Sequence, residues 1–226
     1  MKKGLTEIVF ILDRSGSMSG LEADTIGGYN SMLKKQQKEE GEAYISTVLF
    51  DDRIEVLHDR TPIGKVRPIT DDDYYVRGCT ALLDAVGGAI HHIGNVHKYA
   101  RDEDVPEKTL FIITTDGMEN ASREYSYRRV KQMIERRKER CHWEFIFMGA
   151  NIDAVEVAGR FGVDRMHSVR YEADGAGTQL NYKMMSKLVS RARRCESAEA
   201  MCDAFAAGEE LEEIRQDYEK RGKAAH

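Results

Sequence analysis

The chain has 226 residues, 41% apolar and 32% charged, with only three prolines, enough for one well-buried domain and too little for two full ones. The formal net charge of −5 gives no overall electrostatic case for nucleic acid or an anionic membrane. No apolar run approaches the roughly 18–20 residues of a membrane span, and the opening MKKGLTEIVFILDRSG has too short an apolar stretch for a signal-peptide core. The four cysteines, Cys79, Cys141, Cys195 and Cys202, form no C-x-x-C pair, as expected of reduced thiols in a cytoplasmic protein rather than a zinc or disulfide framework.

Residues 7–12 (EIVFIL) read as a buried strand that ends abruptly on Asp13, followed by the polar turn RSGSMSG. Residues 21–37 carry a helical pattern. Residues 44–50 (YISTVLF) are a second strand, and 53–57 (RIEVL) follow after so short a link that a hairpin and an antiparallel edge strand are expected. Residues 81–93 place Leu82, Leu83, Val86, Ala89, Ile90 and Ile93 on one helical stripe, directly after Thr80. Residues 110–114 (LFIIT) form a strand that leads to Asp116-Gly117. Residues 125–140 form an amphipathic helix, and eight basic residues face three acidic ones over 123–140. A strand at 144–148 (EFIFM) and a short helix at 154–161 follow. The stretch EADGAGTQ reads as a turn. Beyond it lie a helical stripe over 180–192 and an acidic helical stretch over 197–220, with Gly208 as a break.

This alternation predicts an α/β fold: a doubly wound, mostly parallel central sheet with one antiparallel edge strand and helices on both faces. We expect that domain over residues 1–172 and a helical C-terminal extension over 173–226, which either packs on its own domain or mediates self-association or partner binding. In such sheets ligands bind at the carboxyl ends of the strands. Three loops deliver polar side chains to that edge: Asp13, Ser15 and Ser17 from the first, Thr80 from the second and Asp116 from the third. Serine and threonine also cap helices, and Asp-Gly is a good turn dipeptide. Two carboxylates converging without an evident counter-charge, beyond Arg14 and Arg77, favour a hard cation with oxygen ligands.

The ordered set Asp13-x-Ser15-x-Ser17, Thr80 and Asp116, with GCTALLDA and TDGMEN around the last two, resembles the metal-ion-dependent adhesion site of von Willebrand factor type A (vWA) domains. The resemblance covers roughly residues 5–169 and includes the β-α-β-β-α-β order. It implies a Rossmann-like vWA fold of a bacterial stand-alone type. It further implies that Ser15, Ser17 and Thr80 hold Mg²⁺ (or Mn²⁺ or Ca²⁺) through their hydroxyls, while Asp13 and Asp116 act mainly through water. One coordination position is then left for an Asp or Glu carboxylate of a protein partner. Tyr74, Tyr75, Arg77, Met118 and Glu119 are expected to rim this site, where they either read the partner's surface or pack as ordinary loop residues.

The expected function is therefore cation-dependent protein binding rather than catalysis. A phosphatase-like Asp-x-Asp is absent, since Ser15 stands two after Asp13. No G-x-S-x-G elbow, P-loop or H-E-x-x-H occurs, and His91 and His92 fall inside a helix. A metal-dependent hydrolase and a constitutive assembly subunit acting through the C-terminal helices are the competing readings.

Overall fold

A computed structural model describes residues 1–150 and 154–224; residues 151–153 and 225–226, the last two closing the expected extension, lie outside it. Six strands form one sheet: β1 (Lys2–Asp13), β2 (Ala43–Phe50), β3 (Ile54–Pro62), β4 (Pro106–Thr115), β5 (Glu144–Ala150) and β6 (Ser168–Tyr171). Their order is β3-β2-β1-β4-β5-β6. All neighbours pair in parallel except β2 and β3, the expected hairpin. Strand β6 was not expected from sequence; four residues (SVRY) are too few to show a period.

The sheet is apolar on both sides because β1 alternates strictly between them. Ile8, Phe10 and Leu12 join one core cluster, and Val9 and Ile11 join the other. Helices α2 (Leu82–Tyr99), α3 (Tyr127–Cys141) and α4 (Ala154–Phe161) cover the Val9 side through Val86, Ile90, Val130, Ile134 and Phe161. Helix α1 (Glu22–Gln36) covers the Phe10 side together with α5 (Gly175–Arg194). The two approach closely at Gly28, where a Cβ would lie 2.4 Å from a Tyr182 ring carbon.

The helices expected as an extension share the core cluster of β1 and β4. Met184, Met185 and Leu188 of α5 belong to it, with Met201 and Phe205 of α6 (Ala198–Phe205) and Ile214 of α7 (Glu212–Ala224). Burying side chains of this kind stabilises by roughly 1.5–3 kcal/mol each. The EADGAGTQ stretch is the start of α5 rather than a free turn, because the Asp174 carboxylate accepts the Gly177 N–H at 2.7 Å and caps the helix. Gly208 does break the tail: it sits at φ 63° between α6 and α7, a conformation that suits glycine.

Two chain crossings define the functional edge. From β1 the chain runs through α1 to β2 on one side, and β4 lies on the other. The direction of winding therefore reverses between β1 and β4, which opens a crevice beyond their carboxyl ends. Asp13 ends β1 and Asp116 follows β4 directly. Among the described residues, no helix is long and apolar enough to cross a membrane.

Candidate metal centre

Three loops build the crevice, and backbone bonds lock them together. The first leaves β1 at Asp13 and makes one 3₁₀ turn, Gly16–Met18. It is tied to the second by Gly16 N–H donating to the Gly78 carbonyl (3.2 Å) and Arg77 N–H to the Arg14 carbonyl (2.9 Å). The second is tied to the third by Thr80 N–H donating to Asn120 Oδ1 (2.9 Å), and by the Asn120 and Ala121 N–H groups donating to the Thr80 carbonyl.

The hydroxyls of the first two loops meet. Thr80 Oγ1 donates to Ser15 Oγ at 3.0 Å, and Ser15 Oγ lies 3.1 Å from Ser17 Oγ. None of them caps a helix. The N-caps of α1 and α2 are Leu21 and Ala81, and the turn after Ser15 has no side-chain cap. Capping therefore does not explain these residues. All three converge on Gly117, where a Cβ would stand 2.5 Å from Thr80 Oγ1, 2.9 Å from Ser17 Oγ and 3.2 Å from Ser15 Oγ.

The carboxylates behave differently from each other. Asp13 is fully engaged: Oδ1 accepts the Ser15 N–H (2.7 Å) and Oδ2 the Thr115 hydroxyl (2.5 Å). Burial still pushes its carboxyl up, against the pull of those hydrogen bonds. Asp116 is 3% exposed, yet both of its oxygens are buried and accept no hydrogen bond. Burial pushes it up to about 6; the Ser17 hydroxyl offsets part of that rise, and the Asp13 charge adds to it. An unpartnered buried carboxylate is costly and calls for an explanation.

The two nearby arginines do not supply a counter-charge. Arg14 turns its fully buried guanidinium away to Asp51 (2.9 Å) and Glu55 (2.8 Å), and Arg77 also pairs with Asp51 (2.6 Å). What remains is a set of hydroxyl oxygens and carboxylates, one of them unpartnered, around a cradle that only glycine leaves open. This donor set fits a hard divalent cation. Among the described residues, no cluster of three or more His, Cys, Asp or Glu side chains could hold a metal ion, so the donors here are hydroxyl-rich rather than a carboxylate cage.

Of the expected rim, Met118 (70% exposed) and Tyr75 (43% exposed) reach solvent. The Tyr75 ring lies against the Arg14 and Arg77 guanidiniums, 5.4 and 5.2 Å from its centroid. Tyr74 is not on the rim: it is buried, and its hydroxyl donates to the Asp13 carbonyl at 2.5 Å, which makes it a brace beneath the first loop. Glu119 also turns inward, its carboxylate accepting the N–H groups of Leu83, Ala121 and Ser122 and the Ser122 hydroxyl. For these two residues the loop-packing alternative holds, and the cause is shared: a polar group takes its partner inside the fold. Thr115 and Asn120 were passed over in sequence, although they stand in the TTDGMEN stretch beside Asp116; their part lies in hydrogen bonds that cross between loops. A depression of about 830 Å³ flanks the crevice, lined in part by Asp52, Arg53, Cys79 and Asn120.

The cradle makes Gly117→Ala a sharp test. The added methyl collides with three hydroxyls, so the variant is expected to fold with unchanged circular dichroism but to lose any rise in melting temperature with Mg²⁺ or Mn²⁺. A wild-type response in this variant would move the cation elsewhere.

A doubly wound sheet with an oxygen-lined crevice at its switch point places the chain among Rossmann-like α/β domains. Comparison with solved structures narrows this. Proximal thread matrix protein 1 of the mussel byssus, with a zinc-occupied metal-ion-dependent adhesion site motif, matches with a TM-score of 0.55 and 16% identity over 83% of this chain and 46% of that one. The ArnB paralog VWA2 of Sulfolobus acidocaldarius gives 0.50 and 16% over 84% and 45%. A von Willebrand factor type A protein of Catenulispora acidiphila gives 0.51 and 14% over 87% and 42%. The chain has the von Willebrand factor type A fold. It spans about half the length of these structures. No family model and no curated protein matches the sequence.

Proposed function

We propose that this protein is a divalent-cation-dependent protein-binding module. Asp13, Ser15, Ser17, Thr80 and Asp116 would hold the cation, and the partner would present an Asp or Glu carboxylate. The observation that carries this reading is the buried, unpartnered Asp116 carboxylate beside three hydroxyls that converge on a bare Cα. That a similar fold holds zinc at a site of the same kind supports it. A bound divalent cation supplies an electrophilic position that a carboxylate from another molecule can complete.

The residues of the chain divide the remaining work. Three neutral hydroxyls contribute oxygens without adding charge. Asp116 contributes the charge that nothing else in the fold balances. Asp13, held by Ser15 N–H and Thr115, fixes the shape of the first loop. Mg²⁺ suits such oxygen donors best, and Mn²⁺ or Ca²⁺ can replace it. Exposed Met118 and Tyr75 offer apolar surface to the partner.

Binding rather than turnover is favoured by the lack of a histidine at the crevice. Among the described residues, the histidine hydrogen bonds and ion pairs go elsewhere, His58 to Thr47, His91 to Tyr125, His92 to Asp59, His97 to Glu7, His142 to Glu199 and His167 to Glu144 and Phe205. Unpaired cysteines support a reducing, cytoplasmic setting. The test is capture from a cell extract on wild-type and Ser15→Ala protein, each with Mg²⁺ and with chelator. Proteins retained only by wild type in Mg²⁺ are expected. The same proteins retained under all four conditions would overturn the reading, and Mg²⁺-dependent hydrolysis of generic phosphoesters or esters that Asp13→Ala abolishes would replace it with an enzyme.

A further inference from the structure

Two helices carry a large excess of positive charge, and the fold treats them differently. Helix α5 has five basic and no acidic residues, and acids of its own chain answer it: Lys183 and Lys187 pair with Glu213, Arg191 with Glu209 and Glu210, and Arg194 with Glu39. Helix α3 has seven basic and two acidic residues. On its flank toward α4, Lys131 pairs with Glu135 and Lys138 with Asp164. On its other flank Arg129, Arg136 and Arg140, spaced i, i+7, i+11 on one stripe, are exposed, and no carboxylate of the described residues pairs with them.

That flank faces α2. A Cβ on Gly87 would meet the Tyr125 ring at 2.3 Å and one on Gly94 would meet Arg137 Nη2 at 1.8 Å; His91 Nδ1 lies 3.4 Å from the Tyr125 hydroxyl. Residues 87, 91, 94 and 98 thus form the α2 stripe toward α3. Both glycines are buried beneath those side chains, so the seam between the helices is closed. His91, Lys98, Arg129, Arg136 and Arg140 stand exposed along it, and Asp84, at the head of the α2 stripe, is engaged by the N–H groups of Arg123, Glu124 and Tyr125. From Gly87 to Lys98 the seam runs about 16 Å, the span of a five-residue extended segment.

We propose that this basic surface docks an acidic polypeptide segment. Its three arginines meet no carboxylate among the described residues, whereas four of the five cations of the equally charged α5 pair with glutamates, so the complementary surface is one of carboxylates. Nucleic acid suits it less well, because the aromatic rings beside it are already covered, Tyr125 by Arg129 (4.8 Å) and Trp143 by Arg137 (4.7 Å) and Phe111, leaving no platform for stacked bases. The proposal is independent of the cation site.

Fluorescein-labelled hexaglutamate and a hexathymidylate of similar charge, titrated by anisotropy against the whole protein, test it. Hexaglutamate is expected to bind in a salt-dependent way. Binding should weaken by about tenfold or more in Arg136→Glu/Arg140→Glu, with Lys34→Glu on α1 and added chelator leaving it unchanged. Arg136→Gln/Arg140→Gln, which removes charge without reversing it, should give a smaller loss at an unaltered melting temperature. Absence of hexaglutamate binding, or equal binding by the double variants, overturns the proposal. Tighter binding of the oligonucleotide, lost in the same variants, overturns it in favour of nucleic acid.

Discussion

Saturating Mg²⁺ or Mn²⁺ is expected to raise the melting temperature of the wild-type protein and to leave Ser15→Ala and Asp116→Ala where they stand in chelator. A ligand that binds only the folded state stabilises it by roughly 2.7 kcal/mol at a hundredfold excess over Kd, or about 5–10 °C for a chain of this size. The two variants fail for different reasons. Ser15 Oγ is the middle hydroxyl of the Thr80–Ser15–Ser17 row, and without it the row is broken. Asp116 carries the charge that nothing else balances, and without it the attraction for a cation falls. The same variant relieves a buried, mutually repelled carboxylate, so metal-free Asp116→Ala should melt no lower than metal-free wild type. Calorimetry with and without chelator reads both effects, and a wild-type metal response in either variant would refute the assignment.

The largest loss of stability is expected from Asp51→Ala. Arg14 and Asp51 both have fully buried side chains, and Arg14 Nε donates to Asp51 at 2.9 Å. Asp51 also accepts from Arg77 Nε (2.6 Å) and the Arg53 N–H (2.7 Å). Removing one partner of a buried pair leaves the other charge stranded and typically costs about 3–5 kcal/mol; Glu55, half-exposed, remains as a weaker partner for Arg14. Burial alone would raise the Asp51 carboxyl, but its bonds to Arg77 and the Arg53 amide and the Arg14 charge outweigh this and hold it below the ordinary value. A carboxyl depressed by folding contributes stability that is present above the unfolded value near pH 4 and lost as the pH falls through the folded one. The wild type should therefore lose stability on acidification below about pH 4 more steeply than Asp51→Ala. Because Arg14 stands between Asp13 and Ser15, the variant should also blunt the metal response. Urea unfolding at neutral and acid pH measures this, and a loss under about 1 kcal/mol would show the pair to be incidental.

Much of the architecture was legible in the chain because each buried strand is a short apolar run and each helix a periodic one. Residues 154–161 form α4 as expected, and RIEVL begins the antiparallel edge strand β3. What failed was either short or ambiguous. SVRY is too brief to show alternation, and the glycines of EADGAGTQ hid a helix start that depends on a single Asp174 cap. The acidic tail and the basic α3 look complementary by charge, yet Glu209, Glu210 and Glu213 pair with α5, because α5 and α7 meet on the other face of the sheet from α3.

The residue sequence by itself determined the α/β alternation, the hairpin at the sheet edge, and which carboxylates and hydroxyls stand where strands give way to loops, since these follow from local period and composition. Only the tertiary structure decided which of those groups are in want of a partner. Asp13 is satisfied and Asp116 is not, Tyr74 and Glu119 turn inward, and Arg14 and Arg77 answer Asp51 instead of the crevice. Each outcome depends on contacts between residues tens of positions apart, where burial makes an unmet charge or hydrogen bond costly, and no local pattern in the chain encodes that.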